Sequence, residues 1–407
     1  MGKIPELLIP AGSLPVLKTA VRYGADAVYI GGEVMSLRAK AVNFSLEDMQ
    51  KGIEFARERG VKVYVTANIF AHNSDLKEAR GYFRELAGLE PDAVLISDPG
   101  MFRICREEAP GLEIHISTQA NTTNYESCLF WHSLGVRRIV LARELSLAEI
   151  RGIRDNIPSD LELETFVHGA MCISYSGRCL LSSYLAGRDA NRGACTHPCR
   201  WKYSVVEETR PGEYMPVEEN ERGTYIFNSR DLMMVDRLPD LIGAGIDSLK
   251  VEGRMKTELY VATCARTYRM ALDDYAKDPG LYEERLPLYR EMIADCTTRS
   301  FTTGFFYGKP GEKDQIYDSN TYVKKAVYLG TVSGMDEKGL PTVSQKNRFF
   351  RGDRILIMKP DRDIETEVLS IFDDEGNGME SAPHPGQNLH LKLDAAAETG
   401  DLLKIRV

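Results

Sequence analysis

From residue 6 onward, short apolar runs ending in small or polar residues alternate with longer segments whose apolar residues recur every three or four positions. The first pattern suits strands buried on both faces and the second suits amphipathic helices, so the chain reads as a repeating βα unit. The strand candidates are Glu6 to Gly12, Asp26 to Gly32, Lys62 to Asn68, Ala93 to Asp98, Glu113 to Gln119, Arg137 to Arg143, Glu162 to Ala170 and Ser248 to Arg254. Helices are expected between them, among them Leu14 to Tyr23, Ser45 to Arg59 and Asp75 to Leu89, with Ser45 and Ser74 or Asp75 as N-caps. Asp231 to Ala244 reads as the seventh helix. Thr257 to Asp278 reads as the eighth, with Leu259, Ala262, Ala265, Tyr268 and Leu272 at intervals of three and four. Eight parallel strands with crossover helices define an α/β protein, and so regular a repeat favours a closed (β/α)8 TIM-like barrel over a doubly wound sheet.

The rhythm breaks between Ala170 and Asp231, which makes residues 171–231 an insertion after strand seven of a barrel domain spanning 1–320. A further helical stretch, Leu281 to Cys296, and a loop from Ser300 to Pro310 follow. From about Tyr322, short strands with Gly turns predict a small C-terminal β-barrel, residues 321–407. With 43% apolar and 27% charged residues, the chain falls outside the collagen-like, disordered and disulfide-scaffold classes. No run approaches the roughly 20 apolar residues of a membrane span, and Met1 to Glu6 does not open a signal peptide, so a cytoplasmic protein with no membrane partner is expected. A net charge of −9 argues against wholesale coating by nucleic acid and leaves local basic surfaces open.

Four of the eight cysteines, Cys172, Cys179, Cys195 and Cys199, fall inside the insertion, while Cys105, Cys128, Cys264 and Cys296 stand singly in helical patterns. Clustered thiolates repel one another unless a cation neutralises them, and soft sulfur ligands suit zinc or an iron–sulfur cluster. The first pair is more widely spaced than the C-x2–4-C of structural zinc sites, which weakens zinc, although His197 could also ligate. A radical-SAM arrangement would need a cysteine where Lys202 stands. The plainer reading is four buried, unligated thiols.

Glu164 to Ser182 matches, position for position, the pattern E-x-F-x-x-G-A-M-C-x4-G-x-C-x-L-S, and in it the chain resembles the collagenase-like peptidase family U32. The likeness continues through Leu7 to Ser13, Tyr23 to Gly32, Arg188 to Cys195, Cys199 to Tyr203, Asn228 to Leu232 and Ser248 to Arg254. Length and the appended β-domain most resemble the branch that hydroxylates tRNA. For that branch the resemblance implies oxygen-independent formation of 5-hydroxyuridine at the wobble position, prephenate as hydroxyl source and a cysteine-held 4Fe-4S cluster. It also implies relatives that act on ribosomal RNA or ubiquinone precursors. Family members often carry a cluster-binding cysteine directly after Asn-Ser-Arg-Asp-Leu, where this chain has Met233. That makes Cys199 the best fourth ligand, with an incomplete cluster as the other reading. An electron-donating partner stays open.

Barrel chemistry sits at the carboxyl ends of the strands, and residues two apart share a side. Lys250, Glu252 and Arg254 then share one face of strand eight, while Asn68, Gln119 and His168 close strands three, five and seven. A small dicarboxylic acid such as prephenate calls for cationic partners, for which Arg254, Arg178 and Lys250 are candidates, with Asn68 and Gln119 beside them. His168, Lys250 and Glu252 are the candidate catalytic groups. The plainer alternative is a Lys250–Glu252 ion pair and a packed histidine. Gly31 and Gly32 form only a weak phosphate-turn signal. For tRNA, the cationic insertion (Arg178, Arg188, Arg192, Arg200, Lys202) and the edge Lys346, Arg348 and Arg351 around Phe349 and Phe350 are the expected contacts. Against these stand a U32-type peptidase and a metal-stabilised RNA-binding protein without catalysis. The chain shows no G-x-S-x-G elbow or H-E-x-x-H helix for hydrolysis.

Overall fold

The computed structural model describes residues 3–36, 43–172, 174–176, 178–188, 190, 195–200, 204–206, 214–216, 228–296, 300–310, 315–316 and 325–406. Strands Glu6–Pro10, Ala27–Gly31, Lys62–Thr66, Ala93–Ile96, Ile114–Ile116, Arg138–Val140, Glu162–Gly169 and Ser248–Val251 pair in that order, all parallel. The last strand pairs with both the first and the seventh, which closes the barrel. Their residues are almost all buried because the outer helices cover one face and the other strands cover the inner one. Ser45 caps its helix through Asp48 N, and Ser146 forms a capping box with Glu149. Asp75 occupies the N-cap of Leu76–Leu89 but turns its carboxylate back to accept from His72 N at 2.7 Å, so it bonds the preceding turn instead of the helix.

One expected helix is corrected. Asp231–Met233 is a strand lying antiparallel to the end of strand seven, and the helix begins only at Leu238, with a proline in its first turn. The pairing of Leu232 with Gly169 and Met233 with His168 gives these residues backbone partners that a helix would have supplied internally. The stretch after the eighth helix, Glu258–Lys277, is likewise two helices, Pro279–Glu284 and Leu286–Ala294, each with a proline in its first turn.

Ala326–Met335, Pro341–Gln345, Arg354–Met358, Asp363–Phe372, Asn388–Leu393 and Leu402–Arg406 form a closed six-stranded antiparallel barrel. Its core contains Leu329, Val332, Val343, Phe349, Ile357 and Leu403. It is bolted to the larger barrel by charge: fully buried Lys404 reaches Asp295 at 2.6 Å and Asp363 at 2.8 Å, and Arg266 reaches Asp363 at 2.6 Å.

Candidate active site at the barrel mouth

A cavity of about 440 Å³ opens at the carboxyl ends of the strands. Its walls combine strand-end residues (Asn68, Gln119, Arg143, Lys250, Glu252, Arg254) with Cys172, Cys179, Cys195 and Cys199 of the insertion. Four cysteines from a segment that leaves strand seven thus return over the barrel's own mouth. Cys172 and Cys195 are exposed, and Cys179 and Cys199 half-buried. Cys105 and Cys128, packed in helices, are instead held protonated by burial, their pKa pushed up to about 12. The donor set at the mouth is all sulfur, with a loop histidine, His197, also lining the cavity, so the residues fit a soft metal or cluster.

Below the cysteines the cavity is cationic. Arg254 is 6% exposed and donates Nη1 to Thr66 Oγ1 at 2.6 Å. Gly31 and Gly12 make room for it. A Cβ on Gly31 would lie 2.0 Å from Arg254 Nη1, and one on Gly12 would lie 2.3 Å from the Arg254 carbonyl oxygen. Gly31, the last residue of strand two, therefore serves an arginine, and the weak phosphate-turn signal has this packing reason. Arg143 stacks its guanidinium 3.8 Å from the centroid of Phe166 and donates to the Ala170 carbonyl at 2.8 Å, anchoring the start of the insertion. Asn68 donates to Ser117 Oγ and Gln119 Oε1, each at 3.2 Å, which fixes a row of amide and hydroxyl groups in the cavity lining.

Lys250 does not pair with Glu252. Its Nζ lies 2.7 Å from Glu164 Oε1, and Glu164 also receives Arg138 at 3.3 Å. Burial pushes the Lys250 ammonium down, with Glu164 opposing, and the net direction is downward. Burial pushes Glu164 up, but Lys250 and Arg138 outweigh it and hold the carboxyl below its usual range. Lys250 is thus a buried cation with its carboxylate on the barrel-interior side and the cavity on the other.

Asn68, Gln119, Lys250, Glu252, Arg254 and the four cysteines are brought together as the sequence suggests. Arg178 and His168 are not among the cavity-lining residues. The Arg178 side chain is exposed, 5.3 Å from the Phe70 ring centroid. His168 is 1% exposed and packs among Tyr260, Tyr268 and Phe301 on the helix side of the strand. Arg143, Ser117 and Thr66 were missed, although Arg143 closes a strand candidate by the same rule that selected Asn68 and Gln119. On the small barrel, Lys346, Arg348 and Arg351 are exposed. Phe349 is buried at 1% and cannot stack a base, whereas Phe350 is 44% exposed with Arg348 over its ring at 4.7 Å. Arg192 and Lys202 lie outside the described residues.

The fold is a (β/α)8 barrel whose seventh strand feeds a cysteine-bearing segment over its own mouth, where a thiol-lined cavity opens. The chain belongs to peptidase family U32: that family's pattern matches residues 12–316, and the family's C-terminal domain matches 324–404. It is 39% identical over 409 residues to tRNA hydroxylation protein P1 of Bacillus subtilis, covering 99% of this chain and 95% of that one. It is 37% identical over 442 residues to tRNA hydroxylation protein P of Escherichia coli, covering 99% and 96%. A collagenase of Porphyromonas gingivalis is 30% identical over 412 residues, covering 98% and 97%.

Proposed function

We infer that this chain is an RNA-modifying enzyme that hydroxylates uridine at the tRNA wobble position without molecular oxygen, taking the hydroxyl from prephenate or a like dicarboxylic acid. The observation that carries this reading is one cavity lined by four thiols together with Lys250, Arg143 and Arg254. Relatives named for tRNA hydroxylation, matched over almost their whole length, support it further.

Cys172, Cys179, Cys195 and Cys199 would hold an iron–sulfur cluster, which when bound supplies one-electron redox chemistry. The remaining work belongs to side chains. Arg254 and Arg143 offer planar guanidinium groups to carboxylates, and Lys250 adds a point charge at the cavity floor. Asn68, Ser117 and Gln119 can read a hydroxyl or carbonyl on the bound acid. Glu252, at the rim, is the carboxylate that can hold or move a proton next to the reacting groups. A volume of about 440 Å³ lies within the roughly 300 to 1,000 Å³ of small-molecule sites.

Gene deletion followed by measurement of 5-hydroxyuridine derivatives in bulk tRNA tests the assignment. Their disappearance, restored by the wild-type chain, supports it. Unchanged levels in a strain with no second homologue would remove tRNA and return the peptidase reading, or RNA binding without catalysis, to the same cavity.

A further inference from the structure

The fold gathers a second set of soft ligands behind strand seven, away from the mouth. A ring nitrogen of His168 and the sulfurs of Cys264 and Cys296 all lie within 4.8 Å of one another. His168 is the penultimate residue of strand seven, Cys264 sits in the helix Glu258–Lys277, and Cys296 follows the helix Leu286–Ala294. Both cysteines are 0% exposed, and their sulfurs are 3.8 Å apart.

The hydrogen bonds admit a ligating state of the imidazole. The Tyr268 hydroxyl donates its one proton to the Val167 carbonyl at 2.8 Å and accepts from Met234 N at 3.2 Å, which leaves one lone pair for His168 Nδ1, 3.4 Å away. In the tautomer that donates Nδ1–H to that lone pair, Nε2 presents a lone pair of its own. Nε2 is buried and has no hydrogen-bond partner, an arrangement that normally costs stability. A metal-binding histidine has this form, with one nitrogen donating to a supporting oxygen and the other left for the ion.

We propose that His168, Cys264 and Cys296 bind one zinc ion, a structural site separate from the cysteines at the mouth. Zinc–sulfur bonds of about 2.3 Å in a tetrahedron hold two sulfurs roughly 3.8 Å apart, which is the spacing already present. On binding, both thiols release their protons, and two thiolates with a neutral imidazole around Zn²⁺ leave no net charge. Only such an uncharged assembly is tolerable where all three side chains are this deeply buried. The Tyr260 carbonyl, 3.9 Å from the Cys296 sulfur, is a nearby oxygen for the fourth position. The ion ties the end of strand seven, four residues before Cys172, to the helix that follows Arg254, and so braces both walls of the cavity from behind.

The mouth cysteines must be silenced to test this. In the full chain with Cys172, Cys179, Cys195 and Cys199 all replaced by alanine, metal analysis should find about one zinc per chain. X-ray absorption at the zinc edge should report two sulfurs and one imidazole nitrogen bound to the metal. Adding C264S and C296S should lower zinc to below a tenth of that level, with the chain still folded by circular dichroism. If that variant does not fold, the spectrum of the alanine quadruple decides alone. Zinc-free protein after growth in zinc, a Cys264–Cys296 disulfide, or zinc retained without sulfur ligands would overturn the proposal.

Discussion

The mouth of the barrel and its interior use the same residue types to opposite ends. At the mouth, Cys172 and Cys195 stay exposed and Glu252 lies half-buried at the rim, all facing a cavity. A few residues along the same strands, Glu164 is fully buried and shared between Lys250 and Arg138, and Arg138 in turn reaches Glu6 and Glu162. Groups that face a cavity can be given to a ligand, whereas groups paired inside the barrel hold the shape on which that ligand depends. Substitutions at the mouth should therefore cost activity with little loss of stability, and substitutions inside should do the reverse.

The largest expected effect is at the mouth. Cys172→Ala should abolish the iron and sulfide content and lower tRNA hydroxylation at least about 100-fold, the scale on which losing an essential group acts. Removal of an exposed thiol should shift the thermal midpoint of the metal-free chain little, because it takes almost no packed surface out of the core. Hydroxylation that persists in a C172A chain without iron would break the comparison, since the mouth would then be as structural as the interior.

Next comes Glu164→Gln, which strands a buried Lys250 and should cost about 3 to 5 kcal/mol of unfolding free energy at neutral pH. Glu164 sits below the usual carboxylate range in the folded chain, so its contribution is present in full above the unfolded pKa near 4.5 and is lost as pH falls through the lower folded value. The gap between wild type and E164Q should therefore be constant from neutral pH down to about 4.5 and narrow below it. Urea unfolding at several pH values checks this, and a gap that widens on acidification would mean that Glu164 is not the ionised partner of Lys250.

The sequence made the mouth legible and left the interior obscure for a physical reason. Strand ends and clustered cysteines are local signals, so Asn68, Gln119, Arg254 and the four thiols could be picked from short windows. The Lys250–Glu164 pair spans 86 positions, and only closure of strand eight onto strand seven joins it. His168 was misplaced by a related cause. Alternation puts it on the same side as Glu164 and Phe166, but the pairing slips between Lys250 and Val251, so that Val251 faces His168 and the extra residue in strand seven turns the ring outward. Asp231 to Met233 read as helix because three residues are too few to show a period, and their strand character comes from the neighbour they pair with.

The smallest effect concerns a third region, the edge of the C-terminal barrel, where tRNA affinity should change but neither the iron content nor stability. Lys346 and Arg348 are exposed beside Phe350, while Arg351 is already engaged, donating Nε to the Leu369 carbonyl at 3.1 Å and lying 3.3 Å from Glu380. If this edge follows the tRNA backbone, reversing Lys346 and Arg348 to glutamate should weaken binding about tenfold at low salt and reduce the slope of log affinity against log salt by about one for each phosphate no longer neutralised. Reversing Arg351 alone should do less, because its guanidinium is held by its own barrel. Phe350→Ala should cost about 1 to 3 kcal/mol of affinity if a base stacks there, with the salt slope unchanged, since stacking releases no counterions. Filter binding across a salt series separates the two contributions. A K346E/R348E chain with unchanged affinity and slope would move the tRNA contact to Arg178 and Arg188, on the segment that carries the thiols, and so place RNA recognition and chemistry on the same side of the mouth.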